Sequence, residues 1–167
     1  WKAREYEIST RFIELAGEIN TGMPRYVVDR AAEALNRQKK ALNGSQALLL
    51  GLAYKRDVDD MRESPALRII ELLQERGCEV SYHDPYVPAT GPMRHYSYDM
   101  RSVPLTDEAL AAADFVLIVT DHTAIDYARV VEKARLVVDT RNATAKVTLG
   151  REKIVKALTG LTLNEAE

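Results

Sequence analysis

The sequence predicts an α/β domain with a doubly wound, mostly parallel sheet. Three observations carry that expectation. Short apolar runs at 47–52, 79–83, 115–120 and 136–139 alternate with stretches of helical pattern. The first, third and fourth runs are apolar at almost every position, as parallel strands buried on both faces must be. Helix punctuation follows the strands, with Ser64 before Pro65 and Thr106 before Asp107 as N-cap residues.

Taken in order, residues 6–20 repeat apolar side chains at helical spacing through Ile8, Phe12, Leu15, Ala16 and Ile19. A second stripe runs through Val27, Ala31, Ala34, Leu35 and Leu42, and Thr21, Gly22 and Pro24 separate the two. Two helices are expected, resting on a second subunit or another domain because no nearby segment offers both stripes a partner. This helical segment would occupy residues 1–43 and the α/β domain 44–167. Within the latter, helices are expected at 65–76, 107–113 and 125–134, a long proline-rich loop at 85–104, and a terminal helix at 154–158.

At 167 residues, 46% of them apolar, the chain can bury one sizeable core. A net charge of −2 with no basic block argues against nucleic acid. No apolar run approaches the roughly 18 residues of a membrane span, so a cytoplasmic setting is expected. The lone cysteine, Cys78, falls in a helix-to-strand turn and thus on the edge of the sheet opposite the ligands.

Ligands of an open parallel sheet gather beyond the carboxyl ends of its strands. Here that edge reads "AYKRDVDDMRES", "HDP", "TDHT" and "DTRN". A dinucleotide site would call for G-x-G-x-x-G after the first strand, yet only Gly51 is present. Any bound phosphate would therefore meet side-chain cations, for which Lys55, Arg62 and Arg141 are the candidates. The competing reading is a solvated loop of weak ion pairs, with Arg141 held by an acidic neighbour. His83 with Asp84 and Asp121 with His122 could converge on a metal, but no third ligand is spaced to help them.

The stretch "GLAYKRDVDDMRESPALRIIELL", with "HDPYVP", "LTDEALAAADFVLIVTDH" and "DTRN", resembles the carboxyl-terminal UDP-binding domain of the UDP-glucose/GDP-mannose dehydrogenase family, which has a Rossmann-like sheet. The opening "WKAREYEISTRFIELAGEIN" is similar to the family's central helical region, in wording nearer the members that oxidise UDP-N-acetylhexosamines, the UDP-N-acetylglucosamine 6-dehydrogenase kind. The resemblance implies oxidation of the C6 hydroxymethyl of a UDP-sugar by two NAD⁺, with a cysteine thiol holding the intermediate. It implies Tyr54, Lys55 and Arg141 as contacts to the UDP-sugar, Arg62 as a contact to NAD⁺ on another domain, and a homodimer joined through the first helices. The family's dinucleotide fingerprint and cysteine motif are not among these residues, and Cys78 does not match the latter. "NATAKVTLGREKI" departs from the family's pattern as well. The chain is therefore expected to carry half of a UDP-sugar site and to reduce no NAD⁺ alone. Two alternatives stay open, a non-catalytic nucleotide-binding or dimerisation module and a small independent NAD-binding domain.

Overall fold

The structure, a computed structural model, describes residues 11–91 and 99–157. Its elements follow one another as α1 (Arg11–Arg37), β1 (Gln46–Leu50), α2 (Pro65–Glu75), β2 (Glu79–His83), α3 (Asp107–Ala112), β3 (Phe115–Ile118), α4 (Tyr127–Lys133), β4 (Val137–Asp139), a 3-10 turn (Arg151–Lys153) and β5 (Ile154–Lys156). The five strands are all parallel, in the order β2-β1-β3-β4-β5. The order reverses between β1 and β3, the switch point beyond whose carboxyl edge sheets of this kind take their ligands.

Alternation along each strand explains why the apolar runs are unbroken. Ala47 and Leu49 of β1, with Phe115 and Leu117 of β3, join a core shared with α1 and α2. Leu48 and Leu50, with Val116 and Ile118, point into a second core shared with α3 and α4. Each of these residues is buried, but on opposite faces, so a polar side chain at any of these central-strand positions would face one core or the other, whereas the edge strand β2 carries Glu79, Ser81 and His83. The helix caps match the sequence reading: Ser64 accepts from the Ala66 amide and Thr106 from the Ala109 amide.

Three expectations need correction. Phe12 to Ile19 of the first stripe and Val27 to Leu35 of the second lie on one continuous helix, α1, with Pro24 inside it, while Ile8 lies outside the described residues and Leu42 follows the helix. An interior proline removes one main-chain hydrogen bond. Burial of Pro24, Val27, Val28, Ala31 and Leu35 offsets that loss. The second stripe packs on α2 of its own domain, closed by an Arg76–Asp29 ion pair of 2.6 Å, and so needs no other subunit. Phe12, Leu15 and Ile19 of the first stripe stay exposed, as does Ile13 beside them. The tail forms strand β5 rather than a helix over 154–158; Leu158 lies outside the described residues. "IVK" is short and β-branched, and pairing it satisfies the open edge of β4, which continues as the Ala157 amide donates to the Asp139 carbonyl.

The long loop at 85–104 is described only at its two ends. Ala89 pairs with Arg101, and Ser102 bridges to Tyr82 beside β2. "RHYSYD", apart from Asp99, falls outside the described residues.

Gly51 sits just beyond β1, at φ +84°, and a Cβ there would meet the Thr120 carbonyl oxygen at 2.3 Å. Gly44 has a similar φ of +78° but open space around it. Gly51→Ala should therefore lower unfolding free energy by about 3 kcal/mol or more. Gly44→Ala should cost only about 1 kcal/mol. Equal urea midpoints for the two variants would contradict this account.

Candidate functional site

The carboxyl edge is built on three buried carboxylates, one beyond each of β2 and β3 and one ending β4. Asp84 follows β2. Its Oδ2 accepts the amides of Leu52 at 2.7 Å and Ala53 at 2.9 Å, and its Oδ1 accepts those of Tyr86 at 2.8 Å and Val87 at 3.0 Å. The His122 ring nitrogen Nε2 lies 3.0 Å from Oδ2. Burial works against the ionised form of Asp84, but the amides of Ala53, Tyr86 and Leu52 together with His122 outweigh it, and the carboxyl lies below its ordinary range.

Asp139, at the end of β4, does the same for the last loop. It accepts the amides of Arg141, Ala143 and Thr144 and the Thr144 hydroxyl. The chain winds around this carboxylate with Asn142 at φ +57°, which turns the Arg141 side chain out to the rim, half-exposed. Arg141 Nε reaches Asp121 Oδ1 at 3.3 Å.

Asp121, after β3, is buried and shared between two guanidiniums, Arg141 and Arg56. Burial pushes its carboxyl up, and bonds from Arg56, its own amide and Arg141 bring it down below the ordinary range. Asp121 alone faces two guanidiniums, with Asp57 and Asp139 close by, so neither arginine has a carboxylate to itself and the outer nitrogens of Arg141 can take a further acceptor such as a phosphate. The structure thus joins residues from the first, third and fourth strand ends. Arg56 is not one of the cations singled out from the sequence, and Asp121 enters there only as a metal ligand, not as a partner of arginines.

Lys55 and Tyr54 lie on the loop after β1. The Tyr54 amide donates to the Asp60 carbonyl at 2.7 Å, which closes the base of that loop. Lys55 Nζ stands 5.4 Å from the centre of the exposed Tyr54 ring, and among the described residues it has no ion-pair partner. Arg62, by contrast, is bound by both nitrogens of one fork to Asp60 at 2.9 and 3.0 Å, out in solvent. The Arg62 bonds hold the Asp60 carboxyl down at about 2. The alternative of a solvated, ion-paired loop therefore describes Arg62 well and Lys55 poorly.

The possible metal ligands separate. Asp84 and His122 do converge, as a hydrogen-bonded pair, while His83 Nδ1 donates to the Val103 carbonyl at 2.8 Å. Among the described residues no group of three or more His, Cys, Asp or Glu side chains could hold a metal ion. Cys78 is buried at the start of β2, away from this edge, with its thiol donating to the Ser45 carbonyl. Nor does the turn after β1 fit a dinucleotide pyrophosphate. The Leu52 and Ala53 amides that would face it already serve Asp84.

Comparison with known proteins bears directly on this edge. The model of the UDP-glucose/GDP-mannose dehydrogenase family, UDP binding domain, matches residues 48–146, from β1 through the Asp139 loop. The chain belongs to this family. A UDP-N-acetyl-D-mannosamine dehydrogenase of Methanococcus maripaludis is 31% identical over 85% of this chain and 33% of its own. A UDP-glucose 6-dehydrogenase of Haloferax volcanii is 33% identical over 87% of this chain and 32% of its own. The structure of the UDP-D-ManNAc dehydrogenase from Pyrococcus horikoshii superposes with a TM-score of 0.70 at 25% identity, over 89% of this chain and 34% of that one. The chain thus spans about a third of the length of these relatives. Among the described residues no helix is long and apolar enough to cross a membrane.

Two measurements test the anchors. Asp84→Asn leaves amides competing for a single carbonyl oxygen and brings two unwanted N–H groups, so it should destabilise the fold by about 3 kcal/mol in urea unfolding. The folded carboxyl is held low, so its stabilisation is complete above the unfolded value of about 4 and is lost as pH falls through the depressed folded value. Acid unfolding of the wild type should therefore narrow the gap to Asp84→Asn. Separately, burial pushes the Cys78 thiol up to about 11. Iodoacetamide at pH 8 should leave it unmodified until the chain is unfolded.

Proposed function

We propose that this chain is the UDP-binding part of an NAD-dependent nucleotide-sugar 6-dehydrogenase, which oxidises the C6 hydroxyl of a UDP-sugar to a uronate. The observation that carries the reading is the pair of cations at the carboxyl edge of a family-matching domain. Among the described residues Lys55 has no acidic partner, and Arg141 shares one carboxylate with Arg56. Either can bind a diphosphate without first breaking a full ion pair.

In this reading Lys55 sets its ammonium against the nucleotide-sugar, Arg141 offers its outer nitrogens to the same ligand, and Tyr54 lines the site beside Lys55. The relatives act on different sugars by name, UDP-N-acetyl-D-mannosamine and UDP-glucose, so the sugar is left as a UDP-N-acetylhexosamine or UDP-glucose. NAD⁺ is assigned to a domain outside these residues, because the Leu52 and Ala53 amides just after β1 are taken by Asp84. Arg62, standing out on its Asp60 support, would reach toward that cofactor across the cleft. Pairing of two copies through Phe12, Ile13, Leu15 and Ile19 would cover the exposed stripe of α1.

Calorimetric titration tests the site. UDP should bind the chain weakly, since only one wall of the cleft is present. Lys55→Ala and Arg141→Ala should each weaken it by about tenfold, near 1.4 kcal/mol. Equal heats from all three proteins would refute the assignment. UDP-sugar-dependent NADH production by the purified chain would refute the placement of the cofactor elsewhere.

A further inference from the structure

His122 has no part in the contacts proposed above, yet it is fully buried and both of its ring nitrogens are in use. The Asp57 amide donates to Nδ1 at 2.9 Å. A main-chain N–H can only donate, so Nδ1 is bare and the proton resides on Nε2, facing Asp84 Oδ2 at 3.0 Å. Asp57 has φ +58°, a conformation that costs a residue other than glycine free energy. It is held there from both sides, since its carboxylate accepts the amide of Thr123 at 2.9 Å and the Thr123 hydroxyl at 2.8 Å. Asp57 closely follows Lys55 and directly follows Arg56. The cationic loop is thus tied at its middle to the end of β3 by hydrogen bonds.

We infer that His122, in its neutral Nε2–H form, is a positioning residue for the diphosphate contacts: it transmits the fixed place of Asp84 to the Asp57 amide and so sets where Lys55 and Arg56 stand. The inference rests on the UDP reading for its ligand and on hydrogen-bond geometry for its mechanism. The groups around the ring agree with a relay that touches no substrate. Asp84 and Tyr86 come from the segment after β2, with the Tyr86 ring 5.1 Å away; Asp57 comes from the loop; and the Tyr127 hydroxyl donates to the His122 carbonyl at 3.2 Å from α4.

Two amide substitutions divide the relay. The Asn carbonyl oxygen overlays Nδ1, so His122→Asn keeps an acceptor for the Asp57 amide and loses the donor to Asp84. The Gln amide nitrogen overlays Nε2, so His122→Gln keeps that donor and loses the acceptor. The expected result is that His122→Gln weakens UDP binding by about tenfold, while His122→Asn stays within about threefold of wild type, whatever the two do to thermal stability. Losses that are equal, or that simply follow stability, would overturn the inference. Hydrogen exchange reads the loop without ligand: the Asp57 amide should lose protection in His122→Gln and keep it in His122→Asn, and equal protection in all three proteins would overturn it. Imidazole ¹⁵N shifts of the wild type at neutral pH should show a protonated Nε2 and a bare Nδ1; the opposite tautomer would do the same. Failure of the wild type to bind UDP would defeat the functional reading, and the exchange and ¹⁵N results would still decide the relay.

Discussion

One buried carboxylate, Asp84, holds the carboxyl edge together. Its two oxygens accept four amides from two loops and face the ring of His122 from a third. No solvent competes for them, so each bond is stronger than at the surface, and removing the charge would strand several donors at once. In a dinucleotide-binding sheet the first turn keeps its amides for a phosphate brought by the ligand. Here the protein supplies the anion itself, and the turn after β1 is finished before any ligand arrives. The ligand must then be met further out, by side chains.

The other strand ends repeat the device with different partners. Asp139 uses its oxygens to wind the loop that displays Arg141, and Asp57 uses its own to clasp Thr123. In each case an acid is spent on backbone geometry rather than on neutralising a nearby base. That division of labour explains how a segment crowded with both signs can leave Lys55 without an ion pair among the described residues. It also explains why Asp121, which does pair, does so with two arginines at once.

Much of the architecture was legible in the sequence because parallel strands are nearly all apolar and their helices carry caps. Leu48, Leu49, Val116 and Val138 could not be anything but sheet core. What misled was local ambiguity. Pro24 is a strong breaker by propensity, and only the packing of Val27, Val28 and Ala31 on α2 shows that the helix continues through it. "IVK" is too short for its period to tell strand from helix, and the open side of β4 decides the matter. At the rim, the sequence located the segments correctly but could not rank their charges. Whether an aspartate serves an amide or an arginine depends on burial and on loops far apart in the chain, as with Asp84 and His122.

The single helix α1 has a mechanical consequence. At 27 residues it is about 40 Å long, and its second half is embedded in the core while its first half stands clear of it. Between the two halves the helix could bend only around Gly22 and Pro24, and Pro24 is itself buried. Whatever grips Phe12 and Ile19 is therefore geared to the sheet as by a stiff lever, and a tilt of that grip would be felt at the core with little slack in transmission.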